Sequence, residues 1–277
     1  MRSAHAMLGE SRVLAAGWLI VLFWIAVAVA APLLAPFGPN ATLLPMALPG
    51  ERLPDGRMLL LGADHLGRDI LSRLIWGGRT VLIFAPLATL CAYAVGVSAG
   101  LLAGYRGGWI DELLSRASDI VLAFPVLVLY IVIIQRFGAS ALNIVVAVVI
   151  TSSPGIMRLV RGVVLELRSR AYVAAAEMRG EPLSGILFVE ILPNARGPLI
   201  VDLCLRLGYV TITIGTLGFL GLGLPPPTPD WGGMISESRH FALVFPHMVV
   251  FPCIAVSSLV LGFNLIADGL REVSLRD

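Results

Sequence analysis

Three kinds of residue in this chain carry enough chemistry to build a site: scattered histidines, charges set inside apolar runs, and a charged stretch around Gly180. His5, His65, His240 and His247 are dispersed, and no two stand at the spacing of paired metal ligands. No G-x-S-x-G elbow occurs, so nucleophilic catalysis has no candidate motif. The sequence contains no lysine, every one of its basic residues apart from histidine being arginine. A phosphate-binding loop of the G-x-x-x-x-G-K-[ST] kind needs that lysine, so nucleotide hydrolysis by this route is excluded. Cys91, Cys204 and Cys253 lie in apolar runs and are odd in number, which fits small core hydrophobes better than a disulfide framework.

The charges inside apolar runs are more specific. Asp202 and Arg206 stand four apart, where they pair along one helix face; they line an inner gate or form a snorkelling pair in a helix that projects beyond the bilayer. Asn264 and Asp268 repeat the spacing near the end of the chain, where helix-end hydrogen bonding is the stronger reading. Ser152, Ser153, Pro154 and Gly155 interrupt another apolar run, and unwound backbone at such depth survives only where protein or a cavity covers it. With Met157 they are candidates for lining a pathway, against the alternative of a packing kink.

The elements that hold these residues are set by composition. With 57% hydrophobic residues, 14% charged residues and a mean hydropathy of +0.89, the chain is an integral membrane protein. A net charge of +2 is too small to argue for nucleic acid. A spanning helix needs about 20 mostly apolar residues, and the runs 13–35, 81–104, 119–135, 142–160, 198–222 and 246–267 qualify. The first resembles a signal peptide in its flanking Arg2 and Arg12, but its apolar run is long enough for a retained span. Arginines cluster between alternate runs, including Arg106, Arg116, Arg158, Arg161, Arg168, Arg170, Arg179, Arg271 and Arg276, which places both termini and the stretch 165–194 in the cytoplasm.

On the other side, residues 66–75 show apolar positions at helical spacing and read as a helix lying along the membrane surface. FLGLGLPPPTPDWGGMI, rich in proline and glycine, reads as a tight, rigid turn. Gly96, Gly100 and Gly104 form a doubled G-x-x-x-G stripe that lets another helix pack closely.

The stretch around Gly180 is helix-prone from Val163 until Gly180 and Pro182 break it, and Ile186, Leu187, Val189, Ile191 and Leu192 predict a second helix ending against Pro193. Ala174, Ala175 and Ala176 give this helix–turn–helix a low-profile surface suited to docking in a groove of another protein; the competing reading is an amphipathic helix on lipid headgroups.

Here the chain resembles the inner-membrane permease subunits of bacterial ABC importers, whose loop carries Glu-Ala-Ala, three residues, Gly, nine residues, Ile, any residue, Leu-Pro. Ala175, Ala176, Gly180, Leu192 and Pro193 fall in register, while Ala174 replaces the usual Glu and Glu190 the usual Ile. LGADHLGRDILSRLIWGGR, GLLAGYRGGWID, DIVLAFP, RLVRG, FLGLGLPPPTPDWGGMI and FNLIADGLRE extend the likeness to the second-permease type of the dipeptide, oligopeptide and nickel group.

The resemblance implies an all-α membrane protein of six transmembrane helices with the type I permease fold and a cytoplasmic coupling helix. Residues 1–78 would form an anchor span with an extracytoplasmic segment, and 79–277 a core of five spans with a coupling loop at about 163–197. Coupling to the ATPase falls to Ala174, Ala175, Ala176, Glu177, Arg179, Gly180 and Glu181, with Glu177, Arg179 or Glu181 standing in for the missing acid. The implied partners are a homologous permease, two cytoplasmic ATPases carrying ATP and Mg, a substrate-binding protein and membrane lipid. The chain itself would bind no cofactor. Peptides are the first substrate class, with nickel, metal chelates, opines or glutathione as alternatives. A secondary transporter or channel acting alone is the competing class.

Overall fold

A computed structural model describes residues 11–274, so Arg2, His5 and Arg276 lie outside the described residues. Helix α1 (Arg12–Val29) starts at Ser11, whose hydroxyl accepts from the Leu14 N–H, and a short turn α2 (Ala31–Leu34) follows it. Residues 36–69 fold over a small core of Phe37, Ala47, Leu53, Leu59 and Ala63, with a two-stranded ladder pairing β1 (Glu51–Arg52) antiparallel to β2 (Met58–Leu59).

The surface helix expected over 66–75 is not a separate element. Asp69 caps a helix that begins at Ile70 and runs unbroken to Arg106 as α3, accepting from the Ser72 N–H at 2.8 Å. Arg68 and Arg73, which fall between the apolar positions of that stretch, are buried. Both find carboxylates inside, so their polarity marks a buried ion network rather than an exposed face. Helix α3 passes through residues 78 and 79 without a break.

Helix α4 (Gly108–Ala123) and α5 (Val126–Phe137) divide the third apolar run: they are bent by 89° at Phe124 and Pro125 and count as one span only as a bent pair. Proline disfavours the α conformation for the residue before it, and Phe124 is extended. Helix α6 (Ala141–Leu167) corrects the interruption expected at 152–155, since it continues as α-helix through Pro154. Pro154 forfeits one backbone bond but is buried among neighbouring helices, where such a residue is tolerated.

The expected helix from Val163 onward is broken at 168–170 and resumes as α7 (Ala171–Met178). After a turn of helix α8 (Leu183–Gly185), a π-helix (Ile186–Ile191) feeds directly into α9 (Leu192–Phe219). The second loop helix therefore does not end at Pro193. Proline is accommodated in the first turn of a helix, where its missing N–H costs least.

The loop expected as a plain rigid turn contains a cis Pro226–Pro227 bond and then a helix, α10 (Trp231–Ser238), capped by Asp230, with a 3-10 turn (Arg239–Phe241) beyond it. Trp231 is fully buried and its indole N–H donates to the Leu74 carbonyl at 2.9 Å. Helix α11 (His247–Ser274) closes the bundle.

Among the described residues, five helices are long and apolar enough to span a bilayer, and the bent pair makes six. The glycine stripe works as its spacing predicts: Cβ atoms on Gly96 and Gly100 would lie 2.6 Å from the Cβ atoms of Ile156 and Val160, so α3 and α6 meet backbone to backbone. Helix α1 lies along α11, where a Cβ on Gly17 would stand 2.7 Å from the Ile266 nitrogen, and Ser11 donates to Glu272 at 2.8 Å.

Candidate coupling segment and intramembrane polar cluster

Helix α7 is held from below by apolar packing and at its end by a backbone cap. Val173 and Ala176 are fully buried in a cluster with Ile186, Leu187 and Ile191 of the π-helix, Ala195 and Leu199 of α9, and Ile156, Val160 and Val164 of α6. One continuous apolar body therefore joins the loop helix to the spans. At its end, Gly180 N–H donates to the Glu177 carbonyl at 2.9 Å and Glu181 N–H to the Ala176 carbonyl at 3.2 Å. This is a Schellman cap, and Gly180 adopts the φ of +71° that it requires.

The charges expected to contact a partner are engaged within the chain. Glu177 accepts from the Tyr105 hydroxyl at 2.6 Å, tying α7 to the last turn of α3. Arg179 pairs with Glu181 at 2.6 Å and Glu190 at 3.1 Å, and these carboxylates hold its guanidinium pKa above the usual arginine value. Arg168 donates to the Gly104 carbonyl at 3.2 Å, fixing the start of the loop against the same helix. What α7 presents outward is apolar: Ala171 and Ala174 are exposed, Ala175 is half-buried, and Met178 is 83% exposed. These positions fall on one helix face at i, i+3, i+4 and i+7.

Among the pathway candidates, Asp202 and Arg206 form the expected pair, with Nε to Oδ2 at 2.8 Å. The pair is not confined to one helix. Tyr93 of α3 donates its hydroxyl to Asp202, and the Arg206 guanidinium lies over Gly155 of α6, so a Cβ there would stand 3.1 Å from Nη2. Three helices thus meet at one charge pair, directly beside the Pro154 turn.

Asp202 also lines a cavity of about 350 Å3 with Leu159, Pro198 and Arg271. Ser153 and Met157 line a different one, about 170 Å3, between α3, α4 and α6, where Ser118 Oγ lies 3.6 Å from the Met157 sulfur. Ser152 is half-buried on the same unbroken helix. Asp202 therefore lines one cavity and Ser153 and Met157 another, and the loop residues form a third group apart from both.

Sequence reasoning missed Tyr93 and Tyr105, whose only signal is a phenol within or at the end of an apolar run. It also missed the charge network at the opposite end of the bundle. There Arg68 pairs with Asp64 at 2.6 Å and with Glu237, and Arg73 lies 3.7 Å from Glu237 and 3.9 Å from Asp64. Asp230 sits in the same region, almost fully buried, accepting from the Gly233 N–H at 2.9 Å, and burial pushes its carboxyl up to about 6. A findable signal was present in Asp230-Trp231-Gly232-Gly233, because an Asp directly before an apolar residue is a helix N-cap pattern.

Comparison with known proteins supplies a context for this arrangement. The profile of the family described as "Binding-protein-dependent transport system inner membrane component" matches residues 96–276. A dipeptide transport system permease protein, DppC of Alkalihalophilus pseudofirmus, is 39% identical over 273 residues, covering 98% of this chain and 88% of that protein. The DppC protein of Haemophilus influenzae is 38% identical over 261 residues, covering 92% and 88%. A glutathione transport system permease protein, GsiD of Pectobacterium atrosepticum, is 42% identical over 212 residues, covering 76% and 70%.

Proposed function

The chain belongs to the family of inner-membrane permease components of binding-protein-dependent ABC importers, and from this we propose that it forms half of a translocation pathway for di- and oligopeptides. In this reading a homologous permease supplies the other half, one of two ABC ATPases docks on α7, and a binding protein delivers substrate at the end that carries the Arg68 network. The α7 end then faces the cytoplasm, in line with the arginine distribution. ATP and Mg belong to the ATPase subunits, since the chain lacks the lysine of a phosphate-binding loop.

The observation that carries this reading is the Schellman-capped helix α7, braced from inside and presenting an apolar face while its charges are paired within the chain. A short, rigid, small-residue helix of this kind fits a groove on a partner. Its fusion through the π-helix to α9 supplies a mechanical route from that groove to the spans, and the Tyr93–Asp202–Arg206 contact lies on that route.

The test is co-purification of the assembled importer. Met178→Asp places a charge on the docking face without touching a buried residue, so ATPase subunits should be lost while the permease pair stays in the membrane. Full ATPase retention and full uptake in Met178→Asp would sink the docking assignment. For the substrate, labelled dipeptide uptake should be competed by other short peptides. Relatives that carry glutathione make that tripeptide the second compound to try.

A further inference from the structure

We propose that the apolar groove between α3 and α9 is a binding site for an anionic phospholipid, with its phosphate on Arg196 and an acyl chain along the groove. The groove encloses about 500 Å3. Its walls are Leu90, Ala94 and Val97 of α3 and Leu199, Ile200 and Leu203 of α9. Arg196 stands at its mouth, exposed, and among the described residues it makes no hydrogen bond or ion pair. Other arginines are occupied within the chain: Arg161 with Asp111, Arg179 with Glu181 and Arg206 with Asp202.

The order of groups along the groove matches a lipid from head to tail. Arg196 precedes Leu199, Ile200 and Leu203 on α9, and α3 runs the opposite way, so Val97 lies near the arginine and Leu90 deeper. From Arg196 to Leu203 is roughly 10 Å of helix, enough for the upper part of an acyl chain. A cation at headgroup level above an apolar channel between helices selects a phosphate-bearing amphiphile. A helix of another protein would fill the channel but would need a carboxylate placed at Arg196, whereas one lipid brings both parts in the right order.

The site has a structural consequence. Tyr93 also lines the groove, and its hydroxyl holds Asp202. An occupant therefore presses on the side chain that joins α3 to α9, next to the coupling segment.

The assembled importer in nanodiscs would be probed with phosphatidylglycerol carrying a diazirine in its acyl chain. We expect labels at Leu90, Ile200 or Leu203, reduced about fivefold by Arg196→Gln and kept by Arg196→Lys. Ile200→Trp, which fills the groove and leaves the arginine, should also lower the yield. A phosphatidylcholine probe should label the same residues several-fold less.

Equal labelling by the two lipids, or no change in either Arg196→Gln or Ile200→Trp, overturns the site. Cross-linking of Ile200→Cys to the second permease also overturns it, because protein then covers the groove. If the variants do not assemble, the wild-type comparison of the two probes decides alone. None of these readouts depends on transport, so the result stands apart from the substrate and ATPase assignments.

Discussion

Gly180 is legible in the sequence because it ends a helix-prone run, yet the structure changes what it does. A Cβ there meets nothing within 4 Å, so the constraint is the backbone φ of +71° and not space. Gly180→Ala should cost about 1–2 kcal/mol at the cap and lower ATP-driven uptake while membrane levels stay unchanged; normal uptake would remove the coupling role. Asp202 and Arg206 were legible as a pair from their spacing, but Tyr93 and Gly155 were not, because contacts between helices leave no trace in local periodicity. They alter the expected outcome of a charge reversal. Asp202→Arg with Arg206→Asp preserves the pair but gives the Tyr93 hydroxyl an arginine in place of its acceptor, and uptake should not return to the wild-type rate. Full recovery would mean that the pair only bridges itself. Asp230 gives a pH dependence. Its carboxyl is raised from 3.8 to about 6 by burial, so the fold favours the protonated form. That contribution is fully present below about pH 4 and lost as pH rises through about 6, a difference on the order of 2–3 kcal/mol. Asp230→Asn retains an N-cap side chain and removes the charge, so thermal unfolding of the purified complex should show it more stable than wild type at pH 8, with the advantage vanishing toward pH 4. A pH-independent difference would refute this origin.

At the scale of elements, long apolar runs and the glycine stripe were readable because both depend on composition and fixed spacing. Gly100→Val tests the stripe. Its Cβ would stand 2.6 Å from the Val160 Cβ and 2.7 Å from the Met157 carbonyl, and overpacking of this kind costs about 1–3 kcal/mol, to be read as a lower unfolding temperature. Proline was the poorer guide. Pro125 turns the chain by 89°, whereas Pro154, Pro193 and Pro198 all lie within continuous helix. Burial is one part of the difference: Pro154 is buried against neighbouring helices and the break at Pro125 follows an exposed, extended Phe124, but Pro193 and Pro198 are exposed and still helical. Local sequence carries no record of which neighbours will cover a proline. The same limitation hid the buried network of Arg68, Arg73, Asp64 and Glu237, because arginines at helical spacing look like a wet face until their carboxylates arrive from distant parts of the chain.

For the whole molecule, the proposed roles fall at two ends: a charge network at one, and the capped apolar helix α7 at the other. The family and the helix that ends at Gly180 were legible in the sequence, since both rest on motifs of residues close together in the chain. The separation of Asp202 from Ser153 and Met157 into two cavities was not, because it depends on which faces of α6 and α9 turn inward. One element touches both ends. Helix α3 has 37 residues, about 55 Å of helix, against a hydrocarbon core of about 30 Å. Its first turns carry Arg73 into the ion network, and its last carries Tyr105 to Glu177. The helix therefore works as a depth gauge. With polar anchors fixed at both extremities, the protein has little freedom to slide along the membrane normal, and a change in bilayer thickness must be met by tilt of α3 or by strain at those anchors.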